Sequence, residues 1–196
     1  NNTTNITSTQ KGNKGIVSRV ENLGTYGLEN NNIIDLSGDS SIGIYASAID
    51  SSGNLKGNMN VKNFGTINLG NAHSINDASI GIFGTEGVNI ENSGTITGNI
   101  NVVGIYSTKG HVIQNNSINL GDSSVGVYIS GGTADINSGS NISVGNNGAV
   151  ALYASNGGRV TNYSSNVSAG VNSVVGYAKD SGTIRDNRGT VSVGEE

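Results

Sequence analysis

Short runs of alternating apolar and polar residues recur along the whole chain. In residues 125–129 and 67–69, for example, every second residue is apolar. This period of two is typical of a β-strand with one buried face. The runs are separated by Gly, Asn, Asp or Ser, residues that favour turns. The pattern therefore predicts an all-β chain of short strands with little or no helix.

The runs belong to a sequence repeat. Residues 38–45, GDSSIGIY, return almost unchanged as residues 121–128, GDSSVGVY. Weaker copies end at an aromatic residue, and a second marker, Asn-x-Gly-Thr, falls between copies. The repeat is about two dozen residues long, a period typical of a solenoid. The aromatic markers are Tyr45, Phe83, Tyr106, Tyr128, Tyr153 and Tyr177.

Each repeat holds about three short runs, so successive repeats can stack with every strand beside its copy. Strands that run in one direction in every repeat form a parallel β-helix. The hexapeptide spacing of left-handed β-helices is absent and parallel crossovers are right-handed, which favours a right-handed helix of about eight rungs. We assign residues 15–196 to this helix and residues 1–14, polar and without a period, to an irregular N-terminal edge. Because the chain stops within the pattern, we expect a fragment of a longer solenoid.

Alternation also predicts which side chains face inward in the aromatic strand. Ile42, Ile44 and Ala46 share one parity and should be buried, and so should their counterparts in the other copies. The aromatic markers have the opposite parity and should form an external column at the strand spacing of about 4.8 Å. A column of small residues should lie beside them on the outside: Gly43, Gly81, Gly104, Gly126 and Ala151.

A second set of positions predicts a ladder of side-chain amides inside the helix. If Ile90 faces inward, alternation turns Asn92 inward, and stacked amides can hydrogen-bond from rung to rung. Residues 27–32 are interpreted as an inserted loop. The ladder comprises Asn22, Asn63, Asn92, Asn115 and Asn187, and the corner glycines Gly24, Gly65, Gly94 and Gly189 are expected to adopt positive φ.

Composition narrows the classes of partner. The net charge is −4, and only 12% of residues are charged, so no field is present that would attract nucleic acid. No apolar run approaches the roughly 18 residues of a membrane span, so we expect no direct membrane insertion. The chain has no cysteine, which excludes disulfides and thiolate zinc sites but leaves the compartment open.

The ionisable residues do not form an evident catalytic site. Enzymes with this architecture that act on polysaccharides need clustered carboxylates, or a basic residue beside calcium. Asp180 and Asp186 come closest to a cluster, and a solvated edge neutralised by Arg185 is favoured over a glycosidase pair. His73 and His111 lack a second ligand at metal spacing. We therefore predict no enzyme activity, metal or cofactor, with a polysaccharide-active enzyme as the alternative and an ice- or surface-binding protein as a weaker one.

Two surfaces are candidates for binding a partner. Insertions at residues 47–58 and 71–79 interrupt the repeat, and unique loops on a rigid scaffold commonly supply specificity. The alternative surface is the aromatic column, which suits sugar rings or protein contacts. A further interpretation is that the insertions are loops tolerated without a partner. The candidate loop residues are Asp50, Asn54, Lys56, His73, Asn76 and Asp77.

The repeat motifs also resemble those of a known family. Residues 43–46 (GIYA), 81–84 (GIFG) and 104–107 (GIYS), together with 63–70 (NFGTINLG) and 92–98 (NSGTITG), are similar to the passenger repeats of very large type V autotransporter adhesins. The likeness is greatest to the RadD-like outer-membrane autotransporters of fusobacteria. It implies a surface-exposed right-handed β-helix stalk that is exported through a C-terminal barrel and attaches to glycans or proteins of host or bacterial surfaces.

Overall fold

The computed structural model describes residues 1–187 and the backbone of residues 191–193. The chain coils through short strands connected by turns, and a single 3-10 turn, Ile75–Asp77, interrupts them in the described residues. The strands, numbered β1 to β22, are Ile6–Ser8, Lys14–Arg19, Thr25–Asn30, Ile34–Leu36, Ile42–Ser47, Asn58–Asn63, Thr66–Leu69, Ser79–Gly84, Val88–Asn92, Thr95–Gly98, Val102–Thr108, His111–Gln114, Ser117–Leu120, Val125–Ser130, Thr133–Ile136, Asn141–Val144, Val150–Ser155, Arg159–Asn162, Asn166–Ala169, Val174–Ala178, Thr183–Asp186 and Val191–Val193.

Three parallel sheets form the walls of this β-solenoid, and each turn contributes one strand to each wall. The aromatic sheet is β2-β5-β8-β11-β14-β17-β20, and the amide sheet is β3-β6-β9-β12-β15-β18-β21. The polar sheet is β1-β4-β7-β10-β13-β16-β19-β22. The expectation of an all-β solenoid with three short strands per turn is therefore confirmed.

The solenoid has about seven turns, since the aromatic and amide sheets each have seven strands, so the estimate of eight rungs was slightly too high. The two long insertions lengthen the second turn of the solenoid and do not form a turn of their own. The first 14 residues are not wholly irregular, because β1 pairs with β4 in the polar sheet. Residues 27–32 are not an inserted loop, because most of them belong to β3, which pairs with β6.

The core is a stack of β-branched side chains. In the polar sheet one register position is occupied by isoleucine in five successive turns, and all five side chains are fully buried. Side chains with two heavy atoms on Cβ are stiff and suit a pleated surface. Like residues therefore repeat at one position and fill the interior from turn to turn. The members of this stack are Ile34, Ile67, Ile96, Ile118 and Ile142.

The aromatic sheet departs from strict alternation. Ile44 and Ala46 are buried as expected, but Ile42 is only partly buried and lines an outer groove. The small residue between them faces inward, because a Cβ built on Gly43 would lie 2.6 Å from Cγ2 of the buried Ile67. Two consecutive residues, Gly43 and Ile44, thus face the interior, as happens at a β-bulge. The prediction that the small residues form an external column is therefore wrong.

The same correction applies in the later turns. A Cβ on Gly81, Gly104 or Gly126 would come within 2.8 Å of an isoleucine methyl group of the polar sheet. Only a very small residue leaves room for these isoleucines, and Ala151, in the same position, is fully buried. The residues that precede these small residues lie on the outer side of the sheet and form an aliphatic column there. Its members are Ile42, Ile80, Val103, Val125 and Val150.

A ladder of buried amides runs along the inner side of the amide sheet. Asn63 Nδ2 donates to Asn92 Oδ1 over 2.8 Å, and Asn92 Nδ2 donates to Gln114 Oε1 over 2.9 Å. Asn30 Nδ2 donates to Asn63 Oδ1 over 2.8 Å, so the ladder extends to the preceding turn. Its four members are fully buried. The amides satisfy one another in a place that water does not reach.

Three residues expected in this ladder are not part of it. Asn22 is exposed, and Asn30 takes its place because β3 aligns Asn30 with Asn63. The ladder position beside Asn92 belongs to Gln114, and Asn115 next to it bonds to Ser93 Oγ outside. Asn187 is exposed, and Asp186 is the residue that accepts from Asn162 Nδ2 over 3.2 Å.

Two of the corner glycines, Gly65 and Gly94, serve close approach and not positive φ. Gly24 has a φ of 156°, so the prediction of positive φ is confirmed there. A Cβ on Gly94 would lie 2.0 Å from the carbonyl oxygen of Gly65 in the turn before. A side chain there would push two turns apart. Gly189 lies outside the described residues.

Candidate binding groove

The aromatic markers form a continuous column on the outside of the aromatic sheet. The register places each ring beside the ring of the next turn. Ring centroids of successive members are 5.2, 5.3, 4.6, 4.4 and 5.2 Å apart. The first five rings are partly buried, and Tyr177 is 46% exposed. The members are Tyr45, Phe83, Tyr106, Tyr128, Tyr153 and Tyr177.

Neighbouring rings contact one another along the whole column, two pairs stacked and the others edge-on or tilted. Tyr106 and Tyr128 are nearly parallel, at an interplanar angle of 7°. At the N-terminal end, the Arg19 guanidinium lies 5.7 Å from the centroid of Tyr45. Burial, followed by the proximity of Tyr128, raises the pKa of Tyr106. The column is therefore a continuous and mostly half-buried aromatic surface.

The aliphatic column runs parallel to the aromatic one, three residues earlier in each strand. Three residues of extended chain span roughly 10 Å, so the two columns are separated by about that distance. Strands β5, β8, β11, β14 and β17 each contribute one aliphatic and one aromatic side chain. Together the columns make one apolar wall that extends over five turns.

The second insertion closes one side of this wall into a groove. Ala72 is held by Asn101, whose Nδ2 donates to the Ala72 carbonyl over 2.9 Å, and the Ala72 amide donates to the Ile100 carbonyl. The 3-10 turn Ile75–Asp77 then lies beside the aliphatic column. The resulting groove has a volume of about 510 Å³. Its lining includes Ile42, Ile80, Val103, Val125, Tyr106, Tyr128, Tyr153 and, on the insertion, Ile75, Asn76 and Asp77.

Two of the predicted loop residues thus meet half of the predicted aromatic column. Asn76 and Asp77 line the same groove as Tyr106, Tyr128 and Tyr153. His73 lies on the same insertion, exposed to solvent, but does not line the groove. The second insertion and the aromatic column, which the sequence offers as alternative surfaces, therefore contribute to a single groove.

The first insertion lies elsewhere and is closed on itself. It follows the end of β5, whereas the second insertion precedes the start of β8, so the two lie at opposite ends of the aromatic strands. Asp50 Oδ1 accepts from the backbone amides of Ser52 and Asn54, and Asp50 pairs with Lys56 at 3.1 Å. The Asn54 amide and then Lys56 lower the pKa of Asp50 to about 2. Asp50, Asn54 and Lys56 therefore hold their own loop together.

The edge of the groove near the second insertion is acidic. Asp77 lines the groove and is exposed, and Asp39 is exposed next to Ser40, which also lines it. Asp122, in the corresponding turn further along, is engaged by Asn146 and Asn147, whose backbone and side-chain amides donate to its carboxylate. No lysine or arginine is among the groove residues of the described chain. The groove thus combines an apolar floor with negative charge at one edge.

The remaining ionisable residues lie apart. Asp180 is in the turn before β21, Asp186 is at the end of that strand, and Asp180 pairs with Lys179 at 3.7 Å. His111 contacts Thr133 and Asp135 on the outer side of the amide sheet. Within residues 1–187 no group of three or more His, Asp or Glu could hold a metal ion. Over the same described range, no helix is long and apolar enough to cross a membrane.

Comparison of the chain with protein-family models, with curated proteins and with solved structures found no match. The function is therefore argued from the groove and from the solenoid that carries it.

Proposed function

We propose that the chain is a non-catalytic segment of an autotransporter passenger, a right-handed β-helix stalk at the bacterial cell surface or outer membrane. In this role it attaches to, or presents attachment sites for, proteins or glycans of host or bacterial surfaces. The segment itself needs no cofactor and does not enter the membrane.

One observation carries the proposal: the apolar wall and the groove that the second insertion builds on it. A contiguous apolar surface on a soluble protein commonly marks an interaction site. The solenoid beneath it is a stack of near-identical turns, a scaffold that keeps such a wall straight and rigid. Spacing and presenting a binding surface is the simplest use of these two features together.

The polysaccharide-active alternative lacks comparable support. A glycosidase needs two carboxyl groups facing each other across one site, roughly 5–9.5 Å apart. Asp180 precedes β21 and Asp186 ends it, and the two do not line a common pocket among the described residues. The acidic residues near the groove are single and lie at one edge.

Purified chain can test the proposal directly. Beads coated with the protein should be retained on one or more members of an array of surface glycans, matrix proteins and bacterial cells. Beads coated with heat-unfolded protein are the control, since adhesion through the solenoid wall requires the fold. The same preparation should release no reducing ends or unsaturated products from polyuronates. Turnover that Asp180→Asn or Asp186→Asn abolishes would contradict the proposal and favour the enzyme.

A further inference from the structure

We infer that the groove binds an amphipathic helix of a partner protein, through aliphatic side chains flanked by lysine or arginine. The inference deepens the proposed function and rests on it, because it names the class of partner that the binding wall accepts. It follows from four features of the groove: its lining, its backbone, its dimensions and its charge.

The lining favours an aliphatic side chain over a sugar. Ile42, Ile80, Val103 and Val125 form the floor, and Ile75, 45% exposed, stands at the edge on the insertion. Sugar recognition by aromatic residues uses open ring faces together with several polar groups for the hydroxyls. Here the floor is aliphatic, and the three polar non-aromatic side chains of the lining, Ser40, Asn76 and Asp77, lie at the insertion end of the strands. Apolar groups of a protein fit such a surface better.

The backbone of the wall favours a helix over an extended peptide. Strands β5, β8, β11, β14 and β17 each pair with a strand on both sides, so the wall has no open strand edge to which a peptide could add. An extended peptide lying on it would leave its own amides without protein partners in an apolar groove, which is costly. A helix satisfies its amides internally and offers only side chains.

The dimensions agree with this occupant. The groove crosses four strand intervals, from the turn of Ile42 to that of Tyr153, which is roughly 19 Å along the solenoid axis. At about 1.5 Å per residue, a helix of about 13 residues covers that length. The roughly 10 Å between the aliphatic and aromatic columns matches the diameter of a helix with its side chains.

The charge at the edge selects the flanking residues. Asp77 and Asp39 are exposed near the insertion, no basic residue lines that edge in the described chain, and the net charge of the protein is −4. Lys179, which contacts Tyr153, lies at the opposite end of the aromatic strands. A partner helix with lysine or arginine beside its apolar stripe gains attraction at this edge and at longer range. A helix with glutamate in those positions is repelled.

The test uses a synthetic helical peptide of about 14 residues, with leucine at helical spacing and lysine on both sides of the stripe. Its affinity for the full chain is measured by calorimetry at low and at high salt. Two matched peptides replace either the leucines by serine or the lysines by glutamate. We expect binding of the first peptide in the micromolar range, weaker at high salt, and at least about tenfold weaker binding of the other two.

Variants of the protein then locate the site. Ile75→Ser and Val125→Arg change exposed or half-buried groove residues outside the core, and each should weaken binding at least about tenfold. Asp77→Asn should reduce the dependence on salt. Ser143→Arg, on the outer side of the polar sheet, is the control and should change nothing. Circular dichroism and melting of each variant establish that it is folded.

Several outcomes would overturn the inference. These are no binding at millimolar peptide, equal binding of the lysine and glutamate peptides, or equal affinity of the groove variants and the parent chain. A neutral oligosaccharide that binds, and is lost with Val125→Arg, would show that the groove takes a glycan. Any of these results combined with retained bead adhesion would leave the proposed function standing and remove only the helix as its partner. Loss of all adhesion in the array would remove both.

Discussion

Replacing Asn92 with alanine tests the amide ladder at its centre. Asn92 is fully buried, accepts from Asn63 Nδ2 at 2.8 Å and donates to Gln114 Oε1 at 2.9 Å. In the variant, Asn63 Nδ2 keeps its bond to the Gly65 carbonyl at 3.2 Å, but Gln114 Oε1 is left without this donor. Two amide bonds at about 0.5–1.5 kcal/mol each and one orphaned buried acceptor at about 1–3 kcal/mol give a loss of about 2–6 kcal/mol.

The matched control for Asn92→Ala is Asn89→Ala, on the same strand. Asn89 is exposed and makes one side-chain bond to Asn60, at 3.2 Å, so its replacement should cost about 0.5 kcal/mol or less. Urea unfolding followed by circular dichroism measures both variants. Hydrogen exchange in β6, β9 and β12 then shows whether the loss is local, as expected of stacked repeats. Equal losses for Asn92→Ala and Asn89→Ala would refute the buried ladder.

Three further predictions concern the strand faces, a corner glycine and a loop carboxylate. Ile105→Ala should cost about 2–5 kcal/mol, because the side chain is fully buried, and Tyr106→Ala clearly less; a reversed order in urea melts would show the faces inverted. Gly94→Ala should lower the melting temperature sharply, because its Cβ would meet the Gly65 carbonyl at 2.0 Å, whereas Gly27→Ala, with open space around its Cβ and no positive φ, should be neutral. The Asp50 carboxyl should titrate near pH 2 by NMR, so its contribution to loop stability is present above its ordinary pKa and is lost as pH falls through about 2; titration near 4 would contradict the loop geometry.

The repeat and the strand period were sufficient to predict the solenoid, because like residues return in register at every turn. The repeat and the strand period did not predict the faces near Gly43. Two consecutive residues, Gly43 and Ile44, face the interior there, so Ile42 lies on the outside and not on the inside as expected. A glycine or alanine recurs at the position of Gly43 in six strands of the aromatic sheet, which indicates close packing against a neighbour. The assumption of strict alternation placed this small residue on the outer face.

The amide ladder was misplaced in three turns for a similar reason. The Asn-x-Gly-Thr motif marks a turn, and its asparagine coincides with the ladder position in the second and third turns only. The better marker is an apolar residue followed two positions later by an amide or acid. It is present in Leu28-Glu29-Asn30, Val112-Ile113-Gln114 and Ile184-Arg185-Asp186, each aligned with its neighbours in the register.

The groove was the least predictable feature. Its aliphatic floor depends on the two consecutive inward-facing residues of each aromatic strand, and its edge depends on how residues 71–78 fold back on the wall. Insertions do not repeat, so no periodic pattern reports their conformation. Asn76, Asp77 and the aromatic column were nevertheless predicted from the sequence as candidate binding residues. Their position in one groove depends on the fold.

Paramagnetic relaxation of isoleucine methyl groups tests the central claim, an outward-facing apolar groove, most directly. In a methyl-labelled sample, a soluble gadolinium chelate should attenuate the signals of Ile42, Ile75 and Ile80, which line the groove, and leave those of the fully buried Ile44 and Ile82 unaffected. Addition of the leucine-lysine peptide should then restore the three attenuated signals. Equal protection of Ile42 and Ile44 would contradict the account.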